Sequence, residues 1–178
     1  MFSSVTLTHP VSARDHVQGP EYAPLTLVEY ADYQCPSCVA AYPAVKRLQK
    51  TLGNKLRFVF RNFPLTQSHP YALLAAETAE AAALQGKFWE MHDLLFEGQE
   101  SLNPDIISVR AERLGLDLEK LGRDIGQGAV EERLREDRQS GIRSGVNGTP
   151  TFFANGVRYD GPPDYHAMLA DLESGLAQ

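Results

Sequence analysis

The sequence predicts an α/β fold interrupted by a long all-helical insertion, and three stretches carry that prediction. Residues 25–52 run from an alternating, aliphatic-rich segment straight into a helical pattern. Residues 151–159 hold two short strand candidates joined by Asn155-Gly156, the strongest two-residue hairpin signal. Between them lies a succession of helical runs with their own caps and stops. The expected division is therefore residues 1–68 and 146–178 for the two parts of the α/β unit and 69–145 for the insertion.

Taken in order, LTLVEY (Leu25 to Tyr30) alternates as a buried strand would. The helix that follows places Val39, Tyr42, Val45, Leu48 and Leu52 on roughly one side and stops at Gly53. LRFVFRNFPL (Leu56 to Leu65) reads as the second strand, ended by Pro64. Pro70 then opens YALLAAETAEAAALQ, a run of strong helix formers stopped by Gly86. KFWEMHDLLFEG is the next helix, with Phe88, Met91 and Leu95 as its core side. Asn103 caps and Pro104 starts DIISVRAERL, which Gly115 ends. Asp117 caps LEKLGRDIG, and AVEERLREDRQSGIRSG forms the last helix of the insertion. Within it, EERLREDR reads as a solvated face carrying (i, i+4) pairs.

Composition narrows the function. The chain has 178 residues, 43% hydrophobic and 22% charged, which suits one globular domain or a domain with an insertion. A formal charge of -6 argues against sequence-independent binding to nucleic acid, which needs a basic face. No apolar run approaches the roughly 18–20 residues of a membrane span. The first residues lack a charged region followed by an apolar one, so the chain as written reads as cytoplasmic. A trimmed exported form with an added Met would read the same way.

Cys35 and Cys38 are the only cysteines, three residues apart in DYQCPSCV. A purely structural disulfide there would close so small a loop that little unfolded-state entropy is removed. Zinc needs about four ligands, and His9, His16, His69, His92 and His166 are scattered without ligand spacing. A redox dithiol is the third reading, and the setting favours it. With Cys35 at the N-cap, Pro36 occupies the first helical position, where a missing N–H is harmless. The N–H groups of Ser37 and Cys38 then face the Cys35 sulfur, and with the helix dipole they favour a thiolate. Cys35 is thus the expected attacking sulfur. Cys38, one turn deeper, is the expected resolving one.

Glu29 sits six residues before Cys35, inside the apolar strand and on the face of Leu25 and Leu27. One reading is a strand-end carboxylate reaching solvent. The other is a half-buried carboxylate beneath the helix, raised in pKa, that takes a proton from Cys38. Before the second strand pair stands Thr149-Pro150; on its own a Thr-Pro bond is trans far more often than cis.

Together, CPSC at a helix start, Glu29 six residues upstream, Pro43 eight residues after Cys35, and Thr149-Pro150 before a hairpin resemble the DsbA-like branch of the thioredoxin superfamily. The resemblance spans nearly the whole chain. It implies a thioredoxin-like mixed sheet flanked by helices, with the insertion bundled over one end. It also implies a thiol-disulfide oxidoreductase in which Pro150 is cis and lies against Cys35. Thr149 would pair with a substrate peptide as an added strand, and Pro36 and Ser37 would lie along the same peptide. Protein or peptide thiols and disulfides are the implied substrates, with a further redox partner. No cofactor is implied, because the sulfurs carry the electrons. One departure stands out: the best-known oxidases of this branch often carry a histidine between the cysteines, and Ser37 brings no charge. A less oxidising pair is expected here, and the direction of electron flow stays open.

Two other classes fit the same residues. A glutathione-dependent transferase or isomerase of related fold commonly uses a single Ser or Cys at the helix start, so Cys38 argues against it. A non-catalytic module would use the pair as a redox-sensitive or metal-binding clip. Elsewhere, Phe88, Trp89 and Met91 read as core, His92 as surface or satisfied core, and Asp32 and Tyr33 as substrate rim or plain loop.

Overall fold

The computed structural model describes residues 1–97 and 102–176. Its centre is a six-stranded mixed sheet, formed by β1 (Phe2–Thr6), β2 (His16–Gln18), β3 (Leu25–Ala31), β4 (Leu56–Asn62), β5 (Thr151–Ala154) and β6 (Val157–Tyr159). The strand order is β1-β6-β5-β3-β4-β2. Only β3 and β4 run parallel, in register from Leu25↔Leu56 to Ala31↔Asn62. Helix α1 (Pro36–Leu52) makes the crossover between them, as a parallel pair requires. β5 lies antiparallel on the other side of β3, with Glu29 opposite Phe152 and Tyr30 opposite Thr151.

Alternation along β3 sorts its side chains between two cores. Leu25, Leu27 and Ala31 join α1 residues Ala41, Val45 and Leu48 and the aromatic Phe58 and Phe60. Val28 and Tyr30 point the other way, into a smaller cluster with Val59, Phe63 and Phe153. β3 is therefore covered on both faces, which explains its nearly unbroken apolar sequence. The β5–β6 turn uses Asn155 at φ 47° and Gly156 at φ 82°, the positive values that an Asn-Gly hairpin accommodates. Asn155 also accepts from Thr26 N–H at 2.8 Å and donates to the Pro24 carbonyl, fastening the hairpin to the start of β3.

Between β4 and β5 come α2 (Ala72–Ala83), α3 (Phe88–Phe96), α4 (Pro104–Arg113), α5 (Leu118–Gly126) and α6 (Glu131–Arg143), and α7 (Tyr165–Leu176) closes the chain. Asn103 and Asp117 cap α4 and α5 through Ile106 N–H and Lys120 N–H. The α3 run ends in the sequence at Gly98, which lies outside the described residues. Helix α3 packs Phe88, Met91, Leu95 and Phe96 into the larger core.

Two expectations need correction. α6 is not simply a solvated face: Asp137 is buried and Arg133 reaches it at 2.9 Å across one turn. Asp137 also accepts the Asn62 N–H at the end of β4, at 2.9 Å. Of the two readings of Asp32 and Tyr33, the loop holds and the rim does not, because both lie in the β3–α1 connection with their side chains buried.

Candidate active site

The site forms where β3 hands over to α1. Cys35 is the N-cap of α1, in extended conformation, and Pro36 is the first helical residue. Cys38 falls one turn later, so both sulfurs face the same side of the helix start. Cys38 is 0% exposed and Cys35 6%, while Pro36 and Ser37 between them are exposed. Pro43 lies within α1. Both cysteines are free thiols here.

The Thr149–Pro150 peptide bond is cis. That segment runs past the dithiol, and the Thr149 carbonyl accepts from the Cys35 thiol at 3.3 Å. The Thr149 hydroxyl is buried and makes no hydrogen bond to a described protein group. The chain thus closes over the helix start with residues more than a hundred positions downstream.

These surroundings pull the two thiols apart in acidity. The Cys35 thiol is lowered to about 5, first by the hydrogen bond from Cys38. The Thr149 side chain and the backbone N–H groups of Cys38 and Ser37 add to this, against an opposing contribution from burial. The thiol-state sulfur takes no capping hydrogen bond, so these N–H groups act at longer range. Cys38 moves the other way, well above an ordinary thiol. Burial is the main cause, followed by the hydrogen bond to Cys35 and the nearby Glu29 charge. Asp32 N–H opposes that rise and meets Cys38 Sγ at 3.5 Å.

Glu29 is 3% exposed, between Phe60 and Phe152 on the neighbouring strands. It is on the α1 side of the sheet with Leu27, as the alternation predicts. Burial raises its carboxyl to about 8, so the proton moves on and off near neutral pH. The solvent-reaching reading of Glu29 does not hold.

The sequence did not single out what supports this loop. Asp32 accepts Gln34 N–H at 2.7 Å, Leu65 N–H at 2.8 Å and the His69 imidazole at 2.8 Å. Gln34 accepts Tyr71 N–H at 2.7 Å and donates to the Leu102 carbonyl at 3.3 Å. His92 is satisfied core, with Nδ1 3.1 Å from the Tyr33 hydroxyl. Among the described residues, no group of three or more His, Cys, Asp or Glu side chains is placed to hold a metal ion. No described helix is long and apolar enough to cross a membrane.

Known proteins share this fold. The chain superposes on BdbD from Bacillus subtilis with a TM-score of 0.85 at 24% identity, covering 99% of this chain and 100% of that one. It superposes on a thioredoxin-like oxidoreductase from Silicibacter pomeroyi DSS-3 with a TM-score of 0.82 at 28% identity, over 93% and 94% of the two chains. A curated relative, the Na(+)/H(+) antiporter NhaA 3 of Salinispora tropica, is 48% identical over 164 residues, 92% of this chain. Those residues are only 25% of the antiporter, so the chain spans about a quarter of the length of such relatives. The family described as thioredoxin matches residues 12–174. The chain belongs to the thioredoxin family and has the fold of its DsbA-like members.

Proposed function

We propose that the protein exchanges disulfides with protein or peptide substrates through Cys35 and Cys38. The observation that carries this reading is the placement of two free thiols one helical turn apart, Cys35 at the N-cap of α1 against the cis Thr149–Pro150 bond and Cys38 fully buried beneath it. Burial and hydrogen bonding lower the first thiol and raise the second. In the reducing direction, the Cys35 thiolate attacks one sulfur of a substrate disulfide. The substrate S–S bond breaks, and the departing sulfur leaves as a thiolate that takes up a proton. Cys38 then gives its proton to the Glu29 carboxylate and bonds to Cys35 Sγ. The Cys35–substrate bond breaks, the second substrate sulfur leaves, and two electrons have passed to the substrate. The oxidising direction is the same sequence reversed.

In this reading Thr149 offers its backbone to an extended substrate segment, Pro150 shapes that edge, and Pro36 and Ser37 lie under the peptide. The sulfurs carry the electrons, so the chemistry calls for no other redox group. The test is reduction of insulin disulfides, with oxidation of a reduced dithiol peptide as the reverse assay. Cys35→Ser should abolish both, and Cys38→Ser should accumulate a substrate mixed disulfide on Cys35. Undiminished turnover by Cys35→Ser would overturn the proposal.

The identity to one quarter of a named antiporter favours a second reading, in which the same dithiol serves as a redox-responsive unit beside a membrane transporter. That reading predicts no turnover of insulin but a redox-dependent change in binding to the transporter. Multiple turnovers of a protein disulfide would count against it.

A further inference from the structure

The most deeply held carboxylate near the dithiol, that of Asp32, plays no part in the steps above. We infer that Asp32 serves the resolving sulfur by presenting its backbone N–H to Cys38, and that His69 and Gln34 are positioning residues that hold it there. This rests on the disulfide-exchange reading and assigns new residues to it.

Residues 32–35 are the whole connection between β3 and α1, and a four-residue loop does not by itself fix the direction of one N–H. The structure fixes it from outside. Both oxygens of the buried Asp32 carboxylate are engaged, Oδ1 by Gln34 N–H and Oδ2 by Leu65 N–H and His69. A carboxylate can only accept, so His69 donates from Nδ1. Gln34 adds two bonds, from Tyr71 N–H and to Leu102 O. The loop is therefore pinned to the β4–α2 connection and to the residue before the α4 cap. From that anchored position Asp32 N–H reaches Cys38 Sγ, and the Asp32 carbonyl accepts Cys35 N–H at 3.1 Å.

The chemistry gives this N–H a specific moment to act. In either direction Cys38 bears negative charge at the mixed-disulfide step, as incoming nucleophile or as leaving group. It is fully buried, so solvent does not stabilise that charge. A donor already aimed at the sulfur does so without reorganisation. The groups that lower the Cys35 thiol are Cys38, Thr149 and the N–H groups of Ser37 and Cys38, not Asp32 N–H, so loosening the Asp32 anchor should slow resolution by Cys38 more than attack by Cys35.

The experiment compares wild type, His69→Ala, His69→Asn and Asp32→Asn, with oxidised glutathione as the probe. Two rates are read on each folded variant: iodoacetamide alkylation of Cys35, and resolution of the Cys35–glutathione mixed disulfide after acid quench. His69→Ala and Asp32→Asn should slow resolution about tenfold, the size of a lost hydrogen bond to a charged group. Alkylation should stay within about twofold, because Cys35 keeps its own donors. His69→Asn retains a donor near the Nδ1 position and should recover most of the resolution rate. His69 is partly exposed, so its variants report even if Asp32→Asn does not fold. Unchanged resolution in folded His69→Ala overturns the inference, as does an equal loss in both rates, which would mark a merely structural role. A wild-type protein that forms no mixed disulfide overturns the oxidoreductase reading itself, and this inference with it.

Discussion

At the scale of single residues, the site is a set of opposed protonation preferences. Cys35 is lowered to about 5, first by the hydrogen bond from Cys38 and further by Thr149 and the backbone N–H groups of the helix start. Alkylation of the reduced protein by iodoacetamide should therefore rise with an apparent midpoint near pH 5, whereas a free thiol rises around pH 8.5. A midpoint above 8 would remove the basis for the enzyme. Glu29, raised to about 8 by burial, should impose an ionisation near pH 8 on mixed-disulfide resolution. Glu29→Gln should slow that step by about 100-fold, the low end of general acid–base contributions, and abolish the ionisation. Stopped-flow resolution rates between pH 6 and 9 check both. The places of Cys35 and Cys38 at the start of α1 and of Glu29 inside β3 were legible in the sequence because each follows from a short pattern or a spacing, whereas the cis bond at Pro150 followed only from the family resemblance. Asp32 and His69 were not, because their contact joins positions 37 apart that meet only when β4 pairs with β3.

At the scale of elements, α6 shows what a helical pattern conceals. Arg133 and Asp137 are spaced i, i+4, a spacing that looks alike on a solvated face and on a buried one. Here the pair turns inward, because Asp137 caps the end of β4 and Ser140 meets the Tyr30 hydroxyl at 2.8 Å. Close packing at that face depends on Gly141: a Cβ there would lie 2.8 Å from the Phe63 ring and 3.1 Å from Tyr30. Gly141→Ala should therefore destabilise the protein even though alanine is the better helix former by about 1 kcal/mol. Overpacking of about 2–3 kcal/mol leaves a net loss of about 1–2 kcal/mol. This should lower Tm by roughly 3–6 °C in calorimetry, and an unchanged or higher Tm would show that the rings yield. Strands β1 and β2 escaped the sequence reading for another reason. They are edge strands of five and three residues with little burial, so they carry no alternating apolar signal.

At the scale of the whole molecule, redox state and pH are linked through stability. Cys35 binds fewer protons folded than unfolded between its folded value of about 5 and the ordinary thiol value of about 8.5. Over that window the reduced protein gains stability as pH rises. Glu29 and Asp137, both raised to about 8 by burial, have the opposite sign. Each favours the fold below the ordinary carboxyl value and loses that contribution as pH rises through 8. Both carboxyls are present in either redox form, so the difference between forms isolates the thiols. Thermal midpoints measured from pH 5 to 8 should shift steadily in favour of the reduced form relative to the oxidised one. A difference that stays flat with pH would contradict the lowered thiol. The gross fold was readable because two local signals, a strand entering a CPSC helix and an Asn-Gly hairpin, bracket the helices between them. The strand order was not, since it depends on pairing between remote segments.

The contact between Cys35 and Thr149 spans 114 positions. A ribosome must therefore add 114 residues beyond Cys35 before that neighbour exists. Until then, a nascent chain carries two cysteines lacking the tuning that Thr149 supplies, so the fully poised chemistry awaits the segment around Thr149.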